Sequence, residues 1–83
     1  MLHDSGRVGL IEDDPIMGES IVQRLEIEGW SVEWWKTGKE ALRSARFDAS
    51  DVIVCDIRLP DMSGEDVYRH KLGSTETPPF VFI

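Results

Sequence analysis

Four short apolar runs punctuate the chain, and the segments between them carry helical spacing. The first run, Val8-Gly9-Leu10-Ile11, is entered from Arg7 and closes on three acids, Glu12-Asp13-Asp14. Unbroken apolarity over so few residues predicts a strand covered on both faces, as in a parallel sheet. Residues 1–6 precede it as a polar lead-in. Asp14-Pro15 then reads as a helix start, with Asp as N-cap and Pro at the first helical position. Met17, Ile21 and Leu25 recur at every fourth position with Val22 beside them, which predicts a core-facing stripe. Gly29 after Glu28 supplies the stop.

Trp30 to Trp35 alternates and predicts a second strand. Thr37-Gly38-Lys39-Glu40 has the capping-box spacing that opens a second, short helix, with Ala41, Leu42 and Ala45 inward. Phe47-Asp48-Ala49-Ser50 reads as a loop. Asp51 to Asp56 forms a third strand around the run Val52-Ile53-Val54-Cys55, and a loop continues to Gly64. Ser63 caps a third helix over Glu65–Leu72, with Val67, Tyr68 and Leu72 apolar and Gly73 as its stop. After the connection Ser74–Pro79, the run Phe80-Val81-Phe82-Ile83 is a fourth strand. The order βαβαβαβ predicts an α/β fold: an open parallel sheet with helices on both faces.

At 83 residues the chain allows one small domain. A net charge of -7 excludes a basic nucleic-acid surface on this segment. No apolar run reaches membrane-spanning length, and the first residues carry no signal-peptide pattern, so no membrane association is expected. One cysteine, Cys55, has no partner for an internal disulfide and fits a reducing, cytoplasmic location.

The chemistry lies at the strand ends. The first strand ends in Glu12-Asp13 and the third in Asp56. Functional groups of open α/β sheets gather beyond the carboxyl ends of their strands. If the first and third strands are neighbours, these carboxylates converge and repel unless a cation lies among them. Mg2+ is the natural occupant of such an oxygen-only set, and a carboxylate beside it can act as a nucleophile toward phosphorus.

Asp56 is followed by Pro60 at plus four and Gly64 at plus eight. With the acidic pair Glu12-Asp13 on the first strand, this resembles the receiver domain of two-component response regulators, a CheY-like family. Gly29-Trp30-Ser31-Val32 and Thr37-Gly38-Lys39-Glu40-Ala41-Leu42 resemble its second strand and helix, and the likeness runs from Arg7 onward. The resemblance implies a flavodoxin-like strand order 2-1-3-4 and phosphorelay signalling. In that reading Asp56 accepts a phosphoryl group from a sensor histidine kinase or phosphotransfer protein. Asp13, Asp56 and the main-chain carbonyl of Arg58 ligate Mg2+, and Glu12 holds it through water. Asp14 is read as helix cap in preference to metal ligand. The domain is regulatory, with self-phosphorylating and autodephosphorylating chemistry, and is not a free-standing enzyme. Its output is a downstream effector domain, expected to regulate transcription.

The family also has a Ser or Thr after strand four, a Lys after strand five, that fifth strand and two last helices. All are expected to be missing from residues 1–83, which would make this the N-terminal portion of a receiver domain without its effector. An apolar fourth strand at the sheet edge invites dimerisation or strand exchange. The alternative reading is a phosphorylation-independent interaction module, a pseudo-receiver. A dehalogenase-type phosphohydrolase is disfavoured because Arg58 stands where its second Asp belongs. A flavin site is disfavoured by the acidic loop after the first strand. Cys55 reads as a small buried hydrophobe, Asp61 as a turn residue, and His3 and His70 as surface residues. Trp30, Trp34 and Trp35 read as core packing on both faces of the sheet.

Overall fold

Ile11 lies between Trp35 on one neighbouring strand and Cys55 on the other, in an all-parallel register. The structure is a computed structural model that describes residues 6–73 and 77–83. Met1–Ser5 of the lead-in, with His3, and Ser74–Glu76 of the last connection lie outside the described residues. The elements are β1 (Gly6–Ile11), α1 (Pro15–Ile27), β2 (Trp30–Trp35), α2 (Gly38–Arg43), β3 (Val52–Cys55), α3 (Gly64–Lys71) and β4 (Phe80–Phe82). They build one four-stranded sheet in the order β2-β1-β3-β4. That is the flavodoxin-like order implied by the resemblance. The third strand is shorter than Asp51–Asp56, although the main chains of Asp51 and Asp56 still donate to Arg7 and Ile11, at 2.8 and 2.9 Å.

The two sheet faces are covered unequally. On one face Ile11, Trp35, Ile53 and Cys55 meet Ala41 of α2 and Val67 of α3 around Phe47. Phe47 is fully buried, and its ring stacks on Trp35 at 5.9 Å. Reading residues 47–50 simply as a loop therefore misses a central core residue. Ala45 is exposed and does not face inward: α2 stops at Arg43, and Phe47 fills the space from the following turn. Tyr68 of α3 and Leu72, the residue that caps its end, are exposed, so Val67 alone of the three expected positions is core.

On the other face Leu10, Val54 and Val81 share one row across β1, β3 and β4. Exposure grows along that row, from a fully buried Leu10 through a half-buried Val54 to an exposed Val81. The helix α1 packs toward β2, where the Trp34 indole lies against buried Gly18. The expected stripe on α1 is accordingly only partly core. Ile21, Val22 and Leu25 are half-buried, while Met17, in the first turn, is 50% exposed. It faces the less covered part of the sheet, in a depression it shares with Ile21 and Ile83.

Caps fix the helices as their sequences imply. Asp14 Oδ1 accepts the Ile16 and Met17 amides, and Gly29 at φ 96° closes α1 in a conformation that favours glycine. Ser63 and Asp66 form a reciprocal capping box on α3. At α2 the Thr37 hydroxyl accepts the Glu40 amide, while the two preceding amides are taken by Asp61 from another loop.

Candidate functional site

The register of β1 with β3 brings the site together. Ile11 and Cys55 are partners, so the next residues of the two strands, Glu12 and Asp56, emerge side by side at the carboxyl end of the sheet. The Asp56 amide donates to the Ile11 carbonyl at 2.9 Å, and the Glu12 amide donates to the Trp35 carbonyl at 3.0 Å. The main chain of each residue is thus held by the ladder to a neighbouring strand. Glu12, Asp13 and Asp56 each present a carboxylate oxygen, and these atoms lie within 4.8 Å of one another. Glu12 is 4% exposed, Asp13 is exposed and Asp56 is half-buried.

The ionisation of Glu12, the buried member of the three, is perturbed. Burial pushes the Glu12 carboxyl above the ordinary glutamate range. The Asp14 amide, donating to Glu12 Oε2 at 3.1 Å, opposes this, and the neighbouring Asp56 and Asp13 charges reinforce it. Burial, with the charges of Asp56 and Glu12, pushes the Cys55 thiol up to about 12. Cys55 is therefore a neutral packing residue, and its Sγ contacts the Asp56 carbonyl at 3.3 Å.

The loop after Asp56 is closely tied. The Arg58 amide donates to Asp56 Oδ1 at 3.1 Å and so orients the carboxylate. Arg58 also bridges to Ser63 in antiparallel fashion, and the Leu59 amide donates to the Met62 carbonyl. The Gly64 amide returns to the Ile57 carbonyl at 2.7 Å. A Cβ on Gly64 would overlap the Asp56 carbonyl oxygen, so glycine is required by close approach at the point where the loop closes.

Two residues at the site were not singled out for these contacts by the sequence. Trp34 donates its indole N–H to the Glu12 carbonyl at 2.8 Å. Asp61, expected to be a turn residue, accepts the Gly38 and Lys39 amides at 2.9 Å each. Burial opposes ionisation of Asp61, but those two donors, with its own amide and the Lys39 charge, hold its carboxyl below the ordinary aspartate range. The alternation of β2 places Trp34 on the α1 face; no sequence signal pairs Asp61 with α2. Asp14 is spent on the α1 cap, in accord with its reading as cap.

The donor set suits a hard divalent cation. It is made of carboxylate oxygens alone, it opens on a depression lined by Asp13, Asp14 and Met17, and its mutual repulsion would be relieved by positive charge.

The response regulator receiver domain family matches residues 8–83. The chain is 44% identical over 80 residues to the transcriptional regulatory protein QseB of Escherichia coli, covering 93% of this chain and 35% of that protein. It is 42% identical over 65 residues to the probable transcriptional regulatory protein TcrX of Mycobacterium tuberculosis, covering 78% of this chain and 27% of that protein. Among solved structures, the non-phosphorylated HemR receiver domain from Leptospira biflexa superposes with a TM-score of 0.85 at 40% identity, covering 94% of this chain and 63% of that one. The chain spans about a third of the length of these curated relatives.

Proposed function

The chain belongs to the response regulator receiver domain family, and on that premise we propose that it is the N-terminal portion of a phosphorelay receiver whose phosphoacceptor is Asp56. The donor is a phosphohistidine on a sensor histidine kinase or phosphotransfer protein. The observation that carries this reading is the convergence of Glu12, Asp13 and Asp56 at the carboxyl end of the sheet.

In the proposed step an Asp56 carboxylate oxygen attacks phosphorus and the phosphorus–nitrogen bond of the donor breaks. An aspartyl phosphate forms, and the imidazole of the donor leaves. The Arg58 amide, hydrogen-bonded to Oδ1, orients the carboxylate for this step. Asp13, Asp56 and the main-chain carbonyl of Arg58 would ligate Mg2+, with Glu12 acting through water. Bound there, Mg2+ supplies charge neutralisation for the phosphoryl oxygens and for the clustered carboxylates.

The domain is regulatory. Its relatives QseB and TcrX are transcriptional regulators by name, which supports transcription as the output of an effector domain in the parent protein. No helix among the described residues is long and apolar enough to cross a membrane. A cytoplasmic location fits that and the free, buried Cys55. The exposed apolar residues Val81 and Phe82 make the β4 edge the surface we assign to pairing with a further strand, including one from a second chain.

The test is phosphoryl transfer to the full-length parent protein from its kinase, labelled in the transferred phosphate, with and without Mg2+. The expected result is Mg2+-dependent label that is labile to both acid and base, as an acyl phosphate is, and that is lost in Asp56→Asn. Equal labelling of the two proteins rejects the site. No labelling of either favours the phosphorylation-independent interaction module.

A further inference from the structure

The carbonyl of Glu12 receives its hydrogen bond from a side chain, where a continued strand would supply a main-chain donor. The Glu12 amide donates to the Trp35 carbonyl at 3.0 Å, as in an ordinary parallel ladder. The next rung would come from the amide two residues beyond Trp35. But β2 ends at Trp35, and Thr37 already serves as the cap of α2. The Trp34 indole N–H takes the vacant role, at 2.8 Å from the Glu12 carbonyl. Both polar main-chain groups of Glu12 are thereby fixed by consecutive residues of β2.

The ring that carries this donor has its own seat. Trp34 lies against Gly18, the buried residue of α1, and a Cβ there would overlap the six-membered part of the indole. Lys36 Nζ lies 5.2 Å from the centre of the ring. Only Trp combines a broad apolar body for this seat with an N–H that donates and cannot accept. The peptide so restrained carries the side chain of Glu12 and leads directly into Asp13, which are two of the three clustered acids. Like charges at this separation push apart, so a main-chain anchor on that side keeps them gathered before any cation arrives.

We propose that Trp34 is a positioning residue for the acidic cluster: its indole N–H, seated on Gly18, preorganises the Glu12-Asp13 peptide for divalent-cation binding. The proposal rests on the functional reading above in taking Mg2+ as the cation, and it adds a residue that touches neither metal nor phosphate.

The experiment is a calorimetric Mg2+ titration of the full-length parent protein, unmodified or carrying Trp34→Phe or Gly18→Ala, beside the indole N–H signals of the 15N-labelled unmodified protein. Trp34→Phe keeps an aromatic ring on α1 and deletes the donor. Gly18→Ala keeps the donor and displaces the ring. Each variant should bind Mg2+ about three- to tenfold more weakly, the span that a single net hydrogen bond corresponds to. The Trp34 indole N–H should exchange slowly with solvent and shift when Mg2+ is added. Equal Mg2+ affinity for the unmodified protein and Trp34→Phe overturns the proposal and leaves the functional reading standing. No Mg2+ binding by the unmodified protein overturns both. Should Trp34→Phe not fold, the indole signal decides: slow exchange with a Mg2+-induced shift supports the proposal, and fast exchange without a shift overturns it.

Discussion

Asp61 Oδ1 accepts the Gly38 amide at 2.9 Å, fastening the loop that follows Asp56 to the first turn of α2. Its other oxygen takes the Lys39 amide at the same distance. One carboxylate thus closes the loop tip and satisfies two donors that a helix start leaves unpaired. Asp61→Ala should lower stability by about 0.5–2 kcal/mol, the range of a lost helix-capping carboxylate. Asp61→Asn, which keeps one acceptor oxygen, should lose less. Urea unfolding of the three proteins checks this, and an unchanged midpoint for Asp61→Ala would contradict it.

Glu12 and Asp61 should respond to pH in opposite senses. The Asp61 carboxyl lies below its ordinary range, so its contribution is present above the unfolded aspartate pKa and is lost as pH falls through the folded one. The Glu12 carboxyl lies above its ordinary range, chiefly through burial. Its contribution is therefore present below the unfolded glutamate pKa and is lost as pH rises through the folded one. In metal-free buffer, Glu12→Gln should remove the part of the stability loss that follows glutamate ionisation, and at neutral pH it should match or exceed the unmodified protein. Unfolding curves collected across the acid range test this. Identical pH dependence in both proteins would show that Glu12 is not the strained group.

Phe47 supplies the largest penalty expected outside the site. It is fully buried, stacks on Trp35 and lies 4.5 Å from the Lys71 ammonium. Phe47→Ala should cost about 3–5 kcal/mol, as for other buried aromatic truncations. Exposed Ala45, two residues earlier, should tolerate Ala45→Ser within about 0.5 kcal/mol. Thermal unfolding of the pair distinguishes core from surface here, and similar losses for both would contradict the packing described.

These contrasts show which parts of the molecule its sequence encodes locally. The strands are legible because Val8–Ile11 and Val52–Cys55 are short apolar runs bounded by polar residues, and the site follows because Glu12 and Asp56 stand directly after them. Helix starts at Asp14, Thr37 and Ser63 are legible because a cap and its amide are at most three residues apart. Met17 was misjudged because periodicity tells which residues share a helix face and does not tell how far the facing layer extends. Phe47 was missed because a turn residue has no period to betray it. The contacts of Asp61 and Trp34 are not legible because their partners lie 23 and 22 residues away, a separation that only the parallel crossovers close.

The central claim is that Asp56 carries the phosphoryl group, and borohydride trapping tests it most directly. An aspartyl phosphate is an activated acyl group that borohydride reduces to homoserine, which marks the modified residue in a peptide mass map. The full-length parent protein, treated with its kinase and Mg2+ and then reduced, should carry homoserine at position 56, none at positions 13 or 61, and no 5-hydroxynorvaline at position 12. Reduction at another acidic position, or none anywhere after demonstrable phosphate uptake, would contradict the account.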